Sequence, residues 1–157
     1  MKLNSRSKII LAACLVSIFA ACTTPEKKQS RNEQLCFLKV TQGEMVMTAD
    51  DNMVMLIDSL VMHLNIKNDS VTGVLNWLPS QKDKMTGTLK GTIQDDIITA
   101  IYSYTAEGIS TKEEKILKLD STKILIKTGE LELQNGIWIL KDKDAAFSES
   151  IPKTLCR

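Results

Sequence analysis

The sequence contains a single histidine, His63, and few aromatic residues, which make up 4% of its 157 residues. Histidine is the commonest general base and a frequent zinc ligand. A Ser-His or Cys-His catalytic pair, or a zinc site, would have to use His63 alone, and His63 does not lie in a recognised catalytic motif. The aromatic side chains are too few to form a platform on which nucleic-acid bases stack. We therefore expect His63 to lie on the polar face of a strand.

The chain also lacks a cluster of basic residues. Of its 20 Lys and Arg residues, three (Lys2, Arg6 and Lys8) lie in the first eight positions, which leaves 17 basic residues against 19 acidic ones. Binding through charge to nucleic acid or to an anionic lipid surface needs clustered Lys and Arg, because counterion release drives it. The charge balance therefore argues against both partner classes.

Recognisable catalytic motifs are absent from the sequence. It has no GxSxG nucleophile elbow, no HExxH zinc motif and no glycine-rich phosphate loop. The adjacent carboxylates Asp50-Asp51 and Asp95-Asp96 fit turns, where Asp hydrogen-bonds the nearby backbone. Together with Asn52, the first pair also offers oxygen ligands for calcium, but without the spacing of a calcium-binding loop. We expect a protein that is not an enzyme and that holds no metal or cofactor.

The first 22 residues resemble a bacterial lipoprotein signal. A basic start precedes the apolar stretch 9–21, which is too short to span a bilayer comfortably as a permanent helix. Residues 19–22 (FAAC) resemble a lipobox in which Phe19 replaces the usual leucine, and the Cys22 thiol would carry the lipid. We predict a signal peptide over residues 1–21. The open alternative is a secreted protein without a lipid.

The residues after Cys22 bear on location. Several acyl chains hold a processed lipoprotein stably on a membrane, whereas one chain binds only marginally. Thr23 and Thr24 stand where an Asp would favour retention in the inner membrane, by analogy with enteric bacteria. We therefore expect a cell-envelope protein, anchored in the outer membrane. Residues 22–35 are mostly polar, so they are predicted to form a flexible tether.

Two of the four cysteines, Cys36 and Cys156, remain after Cys14 leaves with the signal and Cys22 is lipidated. In an oxidising compartment two such thiols tend to form one bridge. A redox or metal-binding pair would usually have CxxC spacing or nearby histidines. We predict a disulfide that closes a long loop and stabilises the domain by about 4–5 kcal/mol by the chain-entropy argument.

Residues 36–157 show the period-two alternation of short antiparallel strands separated by polar turns. This spacing predicts one all-β domain of about eight strands, an antiparallel up-and-down β-barrel or a β-sandwich that is lipocalin-like in outline. Residues 144–150 are predicted to hold a helical turn. The predicted strands are residues 36–47, 59–67, 70–78, 85–93, 97–105, 111–119, 123–133 and 136–140.

The candidate ligand-binding residues are Trp77, Tyr102, Tyr104 and Glu107. The two tyrosines share a strand face. If that face is the interior, their polar tips would lie among apolar walls and could line a pocket. The alternative is that they are ordinary core aromatics with structural hydrogen bonds.

A family resemblance rests on residues 71–77 (VTGVLNW), 81–93 (QKDKMTGTLKGTI) and 96–108 (DIITAIYSYTAEG), flanked by Cys36 and Cys156. In this pattern KD precedes a GxxxG strand and YxYxxEG follows. It resembles small uncharacterised lipoproteins of Bacteroidetes-type bacteria. The family has no assigned activity, so the resemblance implies an envelope location and little about mechanism.

The same resemblance implies candidate O-glycosylation sites. In such bacteria the modified pattern is Asp followed by Ser or Thr and then an apolar residue. Ser59 follows Asp58 and Ser70 follows Asp69, each with an apolar residue next in sequence. Both serines fit strand edges and turns equally well.

Two functions stay open at this point. The first is a non-enzymatic binding module for a small apolar ligand or an envelope component. The second is a protein-interaction role, as an envelope assembly factor or an inhibitor of an envelope-directed hydrolase, through loops at residues 79–84 and 106–108. An open cavity would favour the first, and a filled barrel the second. The side chains expected to fill a closed barrel are Met85, Leu89, Ile93 and Tyr104.

Overall fold

The computed structural model describes residues 30–156. The predicted signal peptide, residues 1–21, and the lipidation site Cys22 lie outside the described residues. All regular structure in the described part is β-strand. Residues 30–156 contain no helix with the length and apolar character needed to cross a membrane.

Ten strands form the described part, and eight of them close a barrel. Strands β1 to β7 follow one another as antiparallel neighbours, and β10 lies between β7 and β1. The structure therefore confirms the all-β antiparallel barrel of about eight strands, in the barrel form and not as a sandwich. The strands are β1 (Asn32–Met47), β2 (Met53–Lys67), β3 (Ser70–Leu78), β4 (Met85–Gln94), β5 (Ile97–Ala106), β6 (Ile109–Leu119), β7 (Lys123–Lys127), β8 (Leu131–Gln134), β9 (Ile137–Leu140) and β10 (Phe147–Thr154).

Strand β1 begins earlier than the sequence predicts. Asn32 pairs with Lys67 and Leu35 pairs with Leu64, so residues 32–35 of the predicted tether belong to the barrel. Leu35 is buried there. One apolar residue at the end of a polar segment gives too weak a pattern to mark a strand, and pairing with β2 decides its structure.

The prediction of one strand over residues 123–133 is wrong. Ile124 and Ile126 are buried, whereas residues 128–130 are exposed, so the barrel pattern ends at Lys127. The chain then forms the β8–β9 hairpin, which joins the edge of β6 through one parallel bridge between Glu113 and Trp138. This hairpin lies outside the closed barrel.

The predicted helical turn over residues 144–150 is also wrong, because β10 starts at Phe147 and supplies the last strand of the barrel. Only Ile151 of this strand is buried. A strand with a single buried residue shows no alternation, so its sequence does not reveal that β7 and β1 both bind it.

Apolar side chains fill the barrel. Leu89 and Ile93 are buried, and Met85 and Tyr104 pack against this core while partly exposed. At Gly91 an added Cβ would lie 2.1 Å from the carbonyl oxygen of Thr99, so only glycine allows β4 and β5 to approach so closely. The largest fully buried side chains are Tyr102, Phe37, Met62, Leu64, Ile66, Leu89, Ile98, Leu117, Ile124, Ile151 and Val71.

A disulfide joins Cys36 to Cys156, as predicted, with their Cα atoms 5.2 Å apart. The bond links β1 to the segment that follows β10. Cys36 is also the residue of β1 that lies opposite Thr154 of β10. The bond closes a loop with a sequence separation of 120 residues. It therefore connects the first and last strands of the barrel covalently, at the place where they pair.

Candidate functional site

Trp77 and Tyr102 line a cavity of about 270 Å³ inside one end of the barrel. This end carries the loop at residues 79–84 and the β5–β6 turn, and we call it the distal end; Ser30 lies at the opposite, proximal end. Three polar residues, Lys115, Thr128 and Glu149, also line the cavity. The apolar walls come from Leu60, Leu75, Trp77, Met85, Tyr102 and Ile126.

Tyr102 is a core residue with a structural hydrogen bond. Its side chain is 2% exposed, and its hydroxyl donates to the carbonyl oxygen of Leu75 at 2.8 Å. Burial raises the pKa of Tyr102 well above its usual range, and the neighbouring Tyr104 and Glu113 add to the shift. The neutral hydroxyl is therefore strongly favoured inside the fold.

Tyr104 stacks on Tyr102 with ring centroids 4.7 Å apart. Partial burial, together with the charge of Glu113, raises the pKa of Tyr104. Glu113 itself forms an ion pair with Lys115, whose Nζ lies 6.0 Å from the Tyr102 ring centroid. The distal end of the interior thus combines two aromatic rings with one half-buried ion pair.

Glu107 does not reach this cavity. It lies in the β5–β6 turn with φ 50° and borders a separate open depression of about 650 Å³. Trp77 borders both the depression and the cavity. Of the four predicted residues, the cavity therefore brings together Trp77 and Tyr102, with Tyr104 behind Tyr102 and Glu107 elsewhere.

The two predicted glycosylation sites lie on the strand surface. Ser70 is exposed at the start of β3, and Ser59 is half-buried in β2. The Asp58 side chain accepts hydrogen bonds from the backbone N of Ser80 at 2.9 Å and from its hydroxyl at 3.1 Å. Modification of Ser59 and Ser70 stays a prediction.

His63 is exposed on β2. No group of three or more His, Cys, Asp or Glu side chains in residues 30–156 is placed to hold a metal ion.

The most unusual surface of the described residues contains none of the predicted ligand-binding or glycosylation residues. β1 pairs with β10 only at Cys36 and Phe37, and β2 pairs with β3 only from Ser59 onward. Beyond those points β1 and β2 pair with each other alone. We call this two-stranded projection the ribbon: residues 42–47 of β1, the turn at residues 48–52, and residues 53–57 of β2.

The ribbon continues an apolar stripe that starts on the outer wall of the barrel. Met45 lies opposite Met55 and Met47 opposite Met53, so these four side chains share one face. Met62 on β2 points into the barrel. Successive residues of a strand point to opposite faces, so Met53 and Met55, at odd positions of β2, lie on the outer face. The seven stripe residues, between 39% and 67% exposed, are Leu38, Val40, Met45, Met47, Met53, Met55 and Ile57.

The charges on the ribbon have one sign. No Lys or Arg occurs between residues 40 and 66, whereas Glu44, Asp50 and Asp51 lie on the ribbon and Asp58 lies at its base. The Asp58 carboxylate already accepts two hydrogen bonds from Ser80. The ribbon is therefore apolar on its outer face and acidic at its bulge and tip.

The predicted strand over residues 36–47 covers the β1 side of the ribbon, but alternation missed the β2 side, residues 53–57, because neither face of the ribbon is buried in the core. Residues 53–57 have the sequence MVMLI, which is apolar at every position. It therefore shows no alternation of apolar and polar residues from which a strand could be predicted. The available signal was the pair of Met-x-Met repeats, MVM at residues 45–47 and at residues 53–55, on either side of a polar turn. Such symmetry around a turn indicates a hairpin whose side chains face each other.

Comparison with known proteins gives no match: no protein-family model, curated protein or solved structure matches this chain. The functional argument therefore depends on the residues of the chain itself.

Proposed function

We propose that this protein is a non-enzymatic, lipid-anchored lipoprotein of the bacterial cell envelope, held at the outer membrane through Cys22, and that it binds another protein through its ribbon. The barrel is the scaffold in this proposal, and the ribbon is the binding surface. The role corresponds to an envelope assembly factor or an inhibitor of an envelope enzyme.

One observation carries the proposal. Of twelve exposed large hydrophobic residues in the described part of the chain, eight lie on the ribbon or at its base on β1 and β2. Single exposed apolar residues scattered over a protein surface are normal. A contiguous exposed apolar patch, in contrast, marks an interaction site. Methionine is common at such surfaces because its flexible thioether adapts to the partner.

The filled interior supports the same conclusion. Leu89 and Ile93 occupy the barrel, so most of its length offers no room for a ligand. A packed barrel is rigid and holds projecting strands in a fixed direction.

The direction of β1 also fits an anchored protein. The strand begins at Asn32, ten residues after Cys22 in the sequence, and its 16 residues extend to Met47 on the ribbon. An extended strand of that length covers about 50 Å. A chain held at Cys22 would thus attach at the proximal end and present the ribbon at the far end of β1.

Site-specific photocrosslinking in cells that make the protein naturally tests this function. A photoreactive amino acid replaces Met47 on the ribbon or, as a matched control, Ile109, because both side chains are 67% exposed. We expect a protein adduct from position 47 and at most a tenfold weaker one from position 109. Equal adducts, or no protein adduct from position 47, would contradict the proposal.

The anchor has its own test. Cys22→Ser should move the protein from the membrane fraction to the soluble fraction, because the substituted residue cannot form the thioether to the lipid. Unchanged fractionation would contradict the lipoprotein assignment while leaving the ribbon proposal standing.

A second candidate function, binding of a small apolar ligand, is favoured by the cavity that Trp77 and Tyr102 share. Its volume of about 270 Å³ is slightly below the usual range for ligand sites, so the ligand would be small. Native mass spectrometry of the Cys22→Ser protein, purified gently and compared with its denatured mass, tests this candidate. A reproducible extra mass that disappears on denaturation supports a ligand, and a bare mass contradicts it.

A further inference from the structure

We infer that the partner of the ribbon is a polypeptide segment whose apolar side chains are flanked by Lys or Arg. This inference rests on the proposed function and adds the chemistry of the partner. It follows from three features of the ribbon: its apolar stripe, its one-sided charge and its open strand edges.

The stripe determines the apolar part of the partner. Its seven side chains have an exposed area of roughly 700 Å² in total, close to the roughly 800 Å² that one side of a standard interface buries. The four methionines form two cross-strand pairs near the tip, Met45 with Met55 and Met47 with Met53. A partner must cover this row with apolar side chains of its own.

The carboxylates determine the charged part of the partner. Asp50 and Asp51 lie in the turn at the tip, and Glu44 lies in the bulge between Gln42 and Met45. None of these three forms an ion pair with another described residue. Burying carboxylates beside an apolar contact is costly unless cations arrive with the partner. Lys or Arg on the partner would supply them.

The open edges favour a polypeptide over a lipid surface. On the ribbon, the edge of β1 beyond Phe37 and the edge of β2 before Ser59 have no strand neighbour within residues 30–156. Unpaired backbone N–H and C=O groups are unfavourable in hydrocarbon, and the carboxylates at the tip would have to enter first. Another chain can instead pair with an open edge as an added strand.

A second copy of this chain fits less well. A symmetric dimer would place the same surface on both sides. Two stripes would bury roughly 1,400 Å² in total, which is enough for a stable interface. However, each copy would bring Glu44, Asp50 and Asp51 and no Lys or Arg on its ribbon. A partner with both apolar and basic side chains would cover the stripe and also supply cations for the three carboxylates.

The experiment extends the crosslinking at position 47 in the full-length lipidated chain. Glu44→Lys, Asp50→Lys and Asp51→Asn are combined, with Asn at position 51 because φ there is 55° and Asn tolerates that conformation. The matched control combines Glu130→Lys, Asp144→Lys and Asp95→Asn at exposed positions outside the ribbon, where Asp95 has φ 48°. Both variants change the net charge by the same amount.

We expect the ribbon variant to lower the adduct at least tenfold and the control variant to change it less than twofold. Mass spectrometry of the adduct should locate the crosslink in a partner segment that contains apolar residues and at least two Lys or Arg residues. A thermal unfolding curve close to that of the unmodified protein shows that the ribbon variant is folded.

The other outcomes separate this inference from the proposed function. If an adduct with another protein forms and survives the ribbon variant, the basic partner is wrong while the proposed function stands. If position 47 crosslinks to a second copy of the chain or to lipid, the inference is overturned. If it crosslinks to nothing, both the inference and the proposed function fail.

Discussion

The two halves of strand β2 are both rich in apolar residues, but they differ in what covers them. Residues 53–57 read MVMLI and are mostly exposed, whereas Met62, Leu64 and Ile66 further along the strand are buried. The buried half has β1 on one side and β3 on the other, and the exposed half has β1 alone. Apolar composition thus does not decide burial, and the neighbouring strands do.

The difference also separates the scaffold from the proposed binding surface. In the barrel, each strand has a neighbour on both sides and most of the interior is filled, so apolar residues stabilise the fold. A two-stranded ribbon has no core and is only marginally stable in water by itself. Its apolar residues stabilise the isolated protein little, which is expected of residues that serve a partner.

Removing the disulfide should have the largest effect on the barrel. Replacing Cys36 and Cys156 together by Ala should lower the free energy of unfolding by about 4–5 kcal/mol, because the unfolded chain regains the freedom of a long loop. Urea unfolding measures the loss. An unchanged unfolding midpoint would show that the seam between β1 and β10 is held without the bond.

Truncation in the buried half of β2 should have the next largest effect. Met62 is 0% exposed. Met62→Ala should cost about 2–5 kcal/mol through lost burial and a new cavity. Urea unfolding again measures it, and a loss below 1 kcal/mol would contradict a tightly packed barrel.

Loss of the Tyr102 hydrogen bond should have a smaller effect. Tyr102→Phe leaves the Leu75 carbonyl without that donor and should cost about 1 kcal/mol near neutral pH. Because the fold raises the pKa of Tyr102, folded protein holds this proton more tightly than the unfolded chain, in which Tyr has a pKa of about 10.0.

The same shift predicts a pH dependence. The stability that Tyr102 contributes is present below pH 10 and is lost as the pH rises above 10. Tyr102→Phe should therefore lose less stability between pH 9 and pH 11 than the unmodified protein, measured by urea unfolding. Equal losses would show that the hydroxyl does not titrate differently in the fold.

The smallest effect is expected in the ribbon. Met55 is 44% exposed on the same strand as Met62. Met55→Ala should change the free energy of unfolding by less than about 0.5 kcal/mol, as exposed substitutions usually do. A loss similar to that of Met62→Ala would mean that the ribbon is already covered in the isolated protein.

The sequence predicts best where a strand has one buried and one polar face. Strand β3 has the predicted bounds, and β4 and β5 extend one residue beyond theirs. In β4, for instance, Leu89 and Ile93 alternate with exposed polar residues. The pairing of Cys36 with Cys156 was also predictable, because no other cysteines remain in the domain.

Prediction failed where tertiary contacts decide the structure. β10 has one buried residue, Ile151, and forms because β7 and β1 offer open edges. In the candidate site, Trp77 and Tyr102 do come together, but Glu107 does not, since strand parity gives the face of a residue and not its distance along the barrel. The β2 side of the ribbon was missed because its apolar residues face solvent.

Hydrogen–deuterium exchange of the ribbon tests the central claim most directly, if the purified protein is compared with the same protein in its native envelope. We predict that residues 53–57 exchange much faster than residues 60–66 in the purified protein and gain protection in the envelope, while the barrel changes little. Ribbon exchange that is equally fast in both samples would contradict the claim that this surface binds a partner.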